Sequence, residues 1–175
     1  MGNNAEQERF LDLIKANQGM IYKICNAYCK SKADREDLAQ EIIFHLWKGS
    51  PQYKPDLKFS TWMYRVALNV AISWYRRTKK TGNTLPVSEN HLGIESPEPE
   101  IPDRRSDAAL LQEQVAALPE LDRALILLYF EEKSYREIAE IIGITETNVA
   151  TKVSRIKEKL KQAVLNAKNH SYGRY

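Results

Sequence analysis

The chain has 175 residues, a length that allows one ordinary domain or two small ones with a real apolar core. Its 43% hydrophobic and 28% charged residues are typical of a globular protein, and a formal net charge of +3 is too small to predict nucleic-acid binding by itself. No apolar run reaches the ~18 residues of a membrane span, and the polar N-terminus "MGNNAEQERF" lacks a signal-peptide pattern. We therefore predict a cytoplasmic protein without membrane insertion.

Apolar residues recur with the period of a helix along almost the whole chain, and convincing strand alternation is absent. The sequence therefore predicts an all-α fold. Within the first pattern, Cys25 and Cys29 lie one helical turn apart. A zinc site needs a closed set of ligands, and no second ligand pair lies near these two. We interpret both cysteines as buried and unreactive, and we expect no metal and no small cofactor.

A second helix is predicted from about Asp34 through "EDLAQEIIFHLWK". Apolar side chains at helical spacing form its inner face, namely Leu38, Ala39, Ile42, Ile43 and Leu46. The outer face carries Asp37, Gln40, Glu41 and Phe44. A phenylalanine among acids and an amide is typical of a protein-docking patch. A solvated face is an equal alternative on this pattern alone, because single exposed aromatics are common.

The turn-like "GSPQYKPDLK" separates this helix from a long one, "FSTWMYRVALNVAISWYRRTKK", for which Ser60 is the predicted N-cap. A polar stripe recurs about once per turn of the long helix, namely Arg65, Asn69, Ser73 and Arg76, extended by Arg77, Lys79 and Lys80. Trp62 and Tyr64 lie near its start. Cations hold phosphates and rings stack on unpaired bases, so this mixture favours single-stranded DNA binding. A core position is an equal alternative for both aromatic side chains, and the favoured one for Trp74.

Between residues 81 and 107 the composition becomes polar, acidic and rich in proline. Such a stretch cannot bury enough apolar surface to fold alone, so we predict a flexible linker. The predicted architecture is two small helical domains, residues 1–80 and 108–168, joined by this linker and followed by a tail at 169–175.

The stretch "SYREIAEIIGITETNVATKVSRIKEKL" holds two helical patterns around one glycine. Ser134 and Glu137 predict a capping box at the start of the first helix. Gly143 predicts a left-handed turn, and Thr145 predicts the N-cap of the next helix. That helix has a predicted buried stripe of Val149, Val153, Ile156 and Leu160. These features together predict a helix-turn-helix in the second domain.

The face opposite this stripe carries short hydroxyl and basic side chains, namely Thr147, Thr151, Ser154 and Arg155, and is flanked by Lys152 and Lys157. Hydroxyls near a helix start can bond base edges or phosphates, and an arginine can bind guanine or phosphate through two nitrogens. The alternative is a plain helical hairpin with a solvated basic face. The agreement of caps, turn and small polar residues favours duplex DNA binding.

Three stretches of the chain resemble conserved parts of the extracytoplasmic-function (ECF) group of sigma factors of bacterial RNA polymerase, and they follow one another in the same order as in that family. The stretch "DREDLAQEIIFHLWK" is similar to the family's second conserved region. The stretch "FSTWMYRVALNVAISWYRR" is similar to the part that melts and reads the −10 element, and "LPELDRALILLYFEEKSYREIAEIIGITETNVATKVSRIKEKL" to the fourth region, which binds the −35 element. The resemblance implies a sigma factor, not an enzyme, that directs core RNA polymerase to promoters and assists their melting.

The resemblance also implies roles for individual positions. The patch that docks on the polymerase matches Asp37, Leu38, Gln40 and Glu41, with Phe44 beside it. Trp62, Tyr64 and Asn69 match positions in the segment that opens promoters and reads the −10 element. Asn69 belongs to the polar stripe, which also holds Arg65, Ser73, Arg76 and Arg77. The positions that face the −35 major groove match Thr151, Ser154 and Arg155. Tyr53 lies in the loop where such factors capture a flipped base.

The chain departs from the family at Ala150, where many relatives carry Lys or Arg, and at Ser73, where Asp is frequent. The resemblance implies a linker that threads toward the active-site and RNA-exit path of polymerase. It also implies an anti-sigma protein that clamps both domains. Two other classes stay open: a stand-alone helix-turn-helix regulator, and a small nuclease that uses the acids near Asp37 to hold a metal ion.

Overall fold

The computed structural model describes residues 2–54, 56–82 and 107–172, and every regular element within them is helical. The all-α prediction is confirmed. The elements are α1 (Gly2–Ala16), α2 (Gln18–Tyr28), α3 (Lys32–Gly49), a short 3-10 helix (Ser50–Gln52), α4 (Phe59–Gly82), α5 (Asp107–Ala116), α6 (Glu120–Phe130), α7 (Tyr135–Ile142) and α8 (Glu146–Tyr172). Except for its helical ends, the predicted linker at 81–107 lies outside the described residues, as does the end of the predicted tail.

Helices α1–α4 form a first bundle in which α3 and α4 supply much of the core. Ser31 caps α3, since its hydroxyl accepts a hydrogen bond from the Asp34 amide at 3.0 Å. Leu38, Ile42 and Leu46 recur every four residues and are fully buried. The prediction that Ile43 shares this inner face is wrong, because its side chain is 42% exposed. It lies about 100° around the helix from Ile42, beyond the stripe that fills the core.

The predicted N-cap of α4 is also wrong. The Trp62 amide donates to the Lys58 carbonyl at 3.2 Å, so the helix begins at Phe59. Ser60 therefore lies inside the first turn and does not cap the helix. An apolar residue at the helix start is tolerated here because the Phe59 ring packs against Phe10 and Tyr53, with centroid distances of 5.7 and 5.4 Å.

Helices α5–α8 form a second bundle, and one cluster of buried side chains runs from the first bundle into the second. The predicted stripe of α8 is confirmed, because all its members are buried: Val149, Val153, Ile156 and Leu160. It joins the buried faces of α6 and α7 in the same cluster. Burial of these aliphatic side chains is the main source of stability in so small a bundle.

The predicted capping box, left-handed turn and N-cap around the connection between α7 and α8 are confirmed. The Ser134 amide donates to the Glu137 carboxylate at 3.0 Å, and the Glu137 amide donates to the Ser134 hydroxyl at 3.2 Å. The hydrogen bond from the Ser134 amide is the main cause that holds the pKa of Glu137 below its ordinary value, and a second one from the Ser134 hydroxyl at 3.1 Å adds to it. Gly143 has a φ of +81°, and its amide donates to the Ala139 carbonyl at 2.8 Å. Thr145 caps α8 by accepting from the Asn148 amide at 3.2 Å.

Replacing Gly143 with alanine tests the left-handed turn. A Cβ at Gly143 meets no atom within 4 Å, so any loss of stability comes from backbone strain and not from a clash. We expect Gly143→Ala to lower the free energy of unfolding by about 1–2 kcal/mol in urea titrations. Gly19→Ala is the matched control, because a Cβ there is also uncrowded and its backbone is helical. It should change stability by less, or raise it by up to about 1 kcal/mol.

The two cysteines provide a second test. Burial raises the pKa of Cys25 to about 11 and that of Cys29 to about 12. A raised thiol pKa leaves little of the reactive thiolate at pH 8. We expect Ellman's reagent to modify neither thiol rapidly in the native protein at pH 8, and both within minutes in 6 M guanidinium. Rapid native labelling of either thiol would contradict the buried environment.

Candidate functional site

The helix-turn-helix presents its outer face without obstruction. Thr147, Thr151, Ser154 and Arg155 are exposed on α8, and Lys152 is half-buried beside them. The Thr151 hydroxyl donates to the Thr147 carbonyl at 3.0 Å, which fixes its rotamer on the helix. Among the residues that the structure describes, Arg155 forms no hydrogen bond or ion pair. Its guanidinium is therefore available to an external anion or base edge.

A lysine marks the edge of this face. The Lys157 ammonium donates to the Tyr129 hydroxyl at 3.0 Å and lies 4.9 Å from the centre of the same ring. These contacts raise the pKa of Lys157 and orient its charge beside Ser154 in a shallow recess. The outer face of α8 thus combines one positioned cation, Lys157, with an arginine, Arg155, that has no polar partner among the described residues.

The polar stripe of α4 lies on the surface, as the sequence predicts. Its members Arg65, Asn69, Ser73 and Arg76 are all exposed. Both ends of the stripe contact the second bundle. Arg65 donates to the Glu140 carbonyl at 2.5 Å, and Arg76 donates to the Glu120 carboxylate at 2.7 Å. Only the middle of the stripe, Asn69 and Ser73, lacks a polar partner in the described part of the chain.

The two aromatic side chains at the start of α4 are not exposed platforms. Trp62 is half-buried, with its ring 5.4 Å from Tyr53 and 5.9 Å from Phe10. A Cβ on Gly49 would lie 3.2 Å from the Trp62 indole, so a larger residue there would require the ring to shift by a few tenths of an ångström. Tyr53 is also held, because its hydroxyl donates to the Leu57 carbonyl at 2.9 Å.

Tyr64 is 6% exposed, which contradicts the expectation of a ring free to stack on a base in this state. Its hydroxyl donates to the Glu131 carboxylate at 3.4 Å, and the Lys133 ammonium lies 5.3 Å from its ring centre. Burial, together with the Glu131 charge, raises the pKa of Tyr64 above its ordinary value. The second bundle covers this ring, and no local sequence signal could have predicted that contact.

The predicted docking patch on α3 is largely exposed. Phe44 is 59% exposed, with Asp37 and Gln40 exposed and Glu41 half-buried on the same helix. Leu38 differs, because its fully buried side chain supports the patch from the core and offers no surface. Glu41 accepts hydrogen bonds from Arg77 on both carboxylate oxygens, at 3.1 and 2.9 Å. The docking patch and the extension of the polar stripe are therefore in direct contact.

Arg123 is the functional candidate that sequence analysis missed. It is 2% exposed and bonds three backbone carbonyls, those of Ala27 (3.0 Å), Ala116 (2.6 Å) and Leu118 (2.9 Å). Its guanidinium also lies 4.7 Å from the Tyr75 ring centre and 5.1 Å from that of Tyr28. An arginine beside the apolar run "ALILLYF" is the only signal in the sequence, and it does not reveal the partners.

In the described ranges 2–54, 56–82 and 107–172, no group of three or more His, Cys, Asp or Glu side chains could hold a metal ion. No helix in the same ranges is long and apolar enough to cross a membrane.

Both halves of the chain match known protein families. The family description "Sigma-70 region 2" matches residues 13–81, and "Sigma-70, region 4" matches residues 108–160. The ECF RNA polymerase sigma factor SigW of Bacillus subtilis is 27% identical over 169 residues, covering 90% of this chain and 89% of the relative. The RNA polymerase sigma factor YlaC of the same organism is 31% identical over 131 residues, covering 73% of this chain and 75% of the relative.

A solved structure shares the fold. It is the sigma factor RpoE in complex with the anti-sigma factor NepR from Bartonella quintana, with a TM-score of 0.67 and 18% identity. The similarity covers 90% of this chain and 97% of that one.

Proposed function

Because the chain belongs to the ECF group of RNA polymerase sigma factors, which direct polymerase to specific promoters, we propose how its two bundles divide that work. The first bundle docks on core polymerase and holds melted −10 DNA, and the second reads duplex −35 DNA. One observation carries the proposal: α4 and α8 each expose a polar and basic face, on different bundles. A cation-lined face with unpaired hydroxyl and amide groups is suited to phosphates and base edges.

The domain boundaries predicted from the sequence form part of the proposal: 1–80 for the first unit, 81–107 for the linker and 108–168 for the second unit. In this division the chain is a binding and specificity subunit without catalytic residues or cofactor. Phosphodiester chemistry belongs to the polymerase, so the chain acts where polymerase acts, in the cytoplasm.

The −35 interface is proposed to consist of Thr147, Thr151, Lys152, Ser154 and Arg155. The guanidinium of Arg155, which has no partner within the described ranges, and the exposed hydroxyl of Ser154 support a position in the major groove. Lys152 is suited to a phosphate contact, since an ammonium group acts as a point charge without the planar fork of arginine.

The −10 interface is proposed to consist of the polar stripe of α4 and its extension, with Trp62 and Tyr64 at its start. Asn69 and Ser73 are the members whose polar groups have no partner among the residues that the structure describes, and Arg65, Arg76 and Arg77 supply charge. Tyr64 could reach a base only after the second bundle has moved from its hydroxyl.

The polymerase interface is proposed to consist of Asp37, Gln40, Glu41 and Phe44, with Leu38 as support from the core. An exposed aromatic ring within a charged rim is the usual form of a binding hot spot. An anti-sigma protein is a further proposed partner. Its support is the fold shared with RpoE, which is bound to an anti-sigma factor in its solved structure.

Run-off transcription with bacterial core polymerase tests the proposal. A library of promoter fragments is transcribed with and without the chain, and transcripts that depend on the chain identify its promoters. We expect specific transcripts together with co-migration of the chain and core polymerase. Absence of both would refute the proposal. Tight duplex binding by the chain alone would then favour a stand-alone regulator.

Removing the exposed ring of Phe44 tests the docking patch. We expect Phe44→Ala to weaken binding to core polymerase about tenfold or more, because a central aromatic anchor contributes about 2 kcal/mol. The matched control is Tyr22→Ala, which removes an exposed ring from α2, outside the patch. Fluorescence anisotropy of the labelled chain with core polymerase measures both. Equal weakening by the two variants would remove Phe44 from the interface.

Substitution of Arg155 tests the −35 interface. We expect Arg155→Ala to weaken binding of holoenzyme to its identified promoters about 5- to 150-fold, since a two-nitrogen base contact contributes about 1–3 kcal/mol. Binding of the chain to core polymerase should not change. Arg155→Lys keeps the charge but loses the planar fork, so restoration of full affinity by lysine would point to a phosphate and not a base. Equal loss of core binding would contradict a DNA role.

Substitution of Asn69 tests the −10 interface. We expect Asn69→Ala to reduce the yield of open promoter complex about fivefold, as for loss of one or two hydrogen bonds, while upstream duplex binding stays normal. Permanganate reactivity of unpaired thymines measures the opening. Gln18→Ala, which removes an exposed amide from α2, serves as the control. Opening equal to that of the unsubstituted chain would remove Asn69 from the interface.

A further inference from the structure

A groove on the first bundle has no part in the function proposed above. It lies between the end of α1, most of α2 and the first three turns of α3, and its volume is about 710 Å³. Small-molecule sites in proteins usually have volumes of about 300–1,000 Å³. All the lining residues belong to α1, α2 or α3, so the groove does not depend on the second bundle.

The floor of the groove is apolar. Ile14 and Ile21 are buried there, and Ala39 and Ile43 line the side that α3 supplies. The groove is therefore the place toward which the exposed Ile43 is directed, outside the core. Cys25 also lines the floor, and burial raises the pKa of its thiol to about 11. A surface of this kind favours a hydrocarbon chain over a polar ligand.

Two small residues keep the groove open from opposite sides. Gly19 lies on α2 and Ala39 on α3, and both line the groove. A Cβ on Gly19 would meet no atom within 4 Å. Glycine in a helix lowers stability relative to alanine, and no contact within the described residues offsets that loss here. Gly19 thus leaves space that a larger side chain would fill.

The rim of the groove carries more positive than negative charge. Three cations line it, Lys15, Lys32 and Arg35, against the single carboxylate of Glu36 among the lining residues. Glu36 lies 3.8 Å from the Lys32 ammonium in a largely exposed pair, which binds weakly. Arg35 donates from one nitrogen to the Asn26 side chain at 3.2 Å, and no carboxylate in the described ranges pairs with it. Its other two nitrogens can bind both oxygens of a ligand carboxylate.

We propose that this groove is a binding site for a free amphipathic carboxylate, a molecule with one anionic head and an unbranched hydrocarbon tail, such as a medium-chain fatty acid. The tail lies on the apolar floor between Gly19 and Ala39, and the head binds Arg35. The volume and the cationic rim favour this ligand over a protein segment, whose interface would bury a larger surface. The proposal goes beyond the sigma function and does not rest on it, because no residue proposed for the DNA or polymerase interfaces lines the groove.

Isothermal titration calorimetry of the full chain with dodecanoate, kept below its critical micelle concentration, tests the site. We expect saturable binding of one molecule per chain. Affinity should rise about two- to fourfold for each methylene from octanoate to dodecanoate, because each methylene leaves water on binding. Dodecyltrimethylammonium has the same tail and the opposite charge, so it should bind at least about tenfold more weakly. No saturable heat up to about 1 mM dodecanoate, or equal affinity for the cationic ligand, overturns the proposal.

Filling the groove tests its position. Ala39→Phe places a ring in the groove, so we expect dodecanoate binding to be lost. Ala33→Phe is the matched control, because it makes the same change at an exposed residue of α3 that does not line the groove. Gly19→Leu fills the space from α2 and provides a second test if Ala39→Phe is unstable. Normal binding by a filling variant that circular dichroism shows to be folded, or equal loss in Ala33→Phe, contradicts the position.

Neutralising the rim tests the site of the anionic head. We expect Arg35→Gln to weaken dodecanoate binding about tenfold, because a charge-assisted pair of hydrogen bonds is lost, while the gain for each added methylene stays the same. Lys48→Gln removes an exposed cation from the same helix outside the groove and serves as the control. Equal weakening by both variants would show attraction to net charge alone and remove Arg35 from the site.

A membrane surface is the other source of an anionic amphiphile, and cosedimentation with vesicles of phosphatidylcholine and phosphatidylglycerol distinguishes the two sources. We expect the chain to bind monomeric dodecanoate and to stay in the supernatant with the vesicles at physiological salt, where surface charges are screened. Vesicle binding that Ala39→Phe removes, without binding of monomeric dodecanoate, would assign the groove to a lipid surface and overturn the proposal of a free ligand.

Discussion

The buried guanidinium of Arg123 is the interaction on which the arrangement of the two bundles depends. A buried cation is costly unless fixed groups compensate it, and no carboxylate bonds this one in the described part of the chain. Three carbonyls and two tyrosine rings take that role, and Ala27, Tyr28 and Tyr75 among them belong to the first bundle. In the described part of the second bundle, the hydrogen-bond acceptors for Arg123 are the carbonyls of Ala116 and Leu118. Groups of the first bundle therefore complete the set of partners around the charged Arg123 side chain of the second bundle.

The contact between Arg123 and the first bundle can separate and form again at a low cost. The Nε atom of Arg123 is buried, and no described residue forms a hydrogen bond with it. An unsatisfied buried donor costs about 1–3 kcal/mol, which water would recover if the bundles separated. The Tyr28 hydroxyl and the Ala27 carbonyl are also groups that water can satisfy. A boundary rich in polar groups, with ion pairs at its rim, separates at a lower cost than an apolar one of equal area, as expected for interfaces between mobile domains.

Most of the fold could be predicted from short stretches of sequence, because the responsible interactions are local. The capping box at Ser134, the turn at Gly143 and the stripe from Val149 to Leu160 depend on residues within a few positions of each other. Ile43 and Ser60 were mispredicted where packing by other elements decides between neighbouring positions. The contacts of Arg123 and Tyr64 across the two bundles could not be predicted, since Ala27 lies 96 residues from Arg123 and Glu131 lies 67 residues from Tyr64 in the chain. The candidate site was thus predictable as a set of exposed faces, but not as a set of contacts.

The pair between Glu41 and Arg77 connects the two faces of the first bundle. Glu41 belongs to the proposed polymerase patch, and Arg77 extends the polar stripe proposed for DNA. A carboxylate that accepts two hydrogen bonds from one guanidinium limits the directions in which that arginine can bind another anion. If polymerase takes the Glu41 carboxylate, Arg77 is released toward DNA, and if DNA takes Arg77, Glu41 is released toward polymerase. Because such coupling is reciprocal, each ligand would favour the other through this single pair.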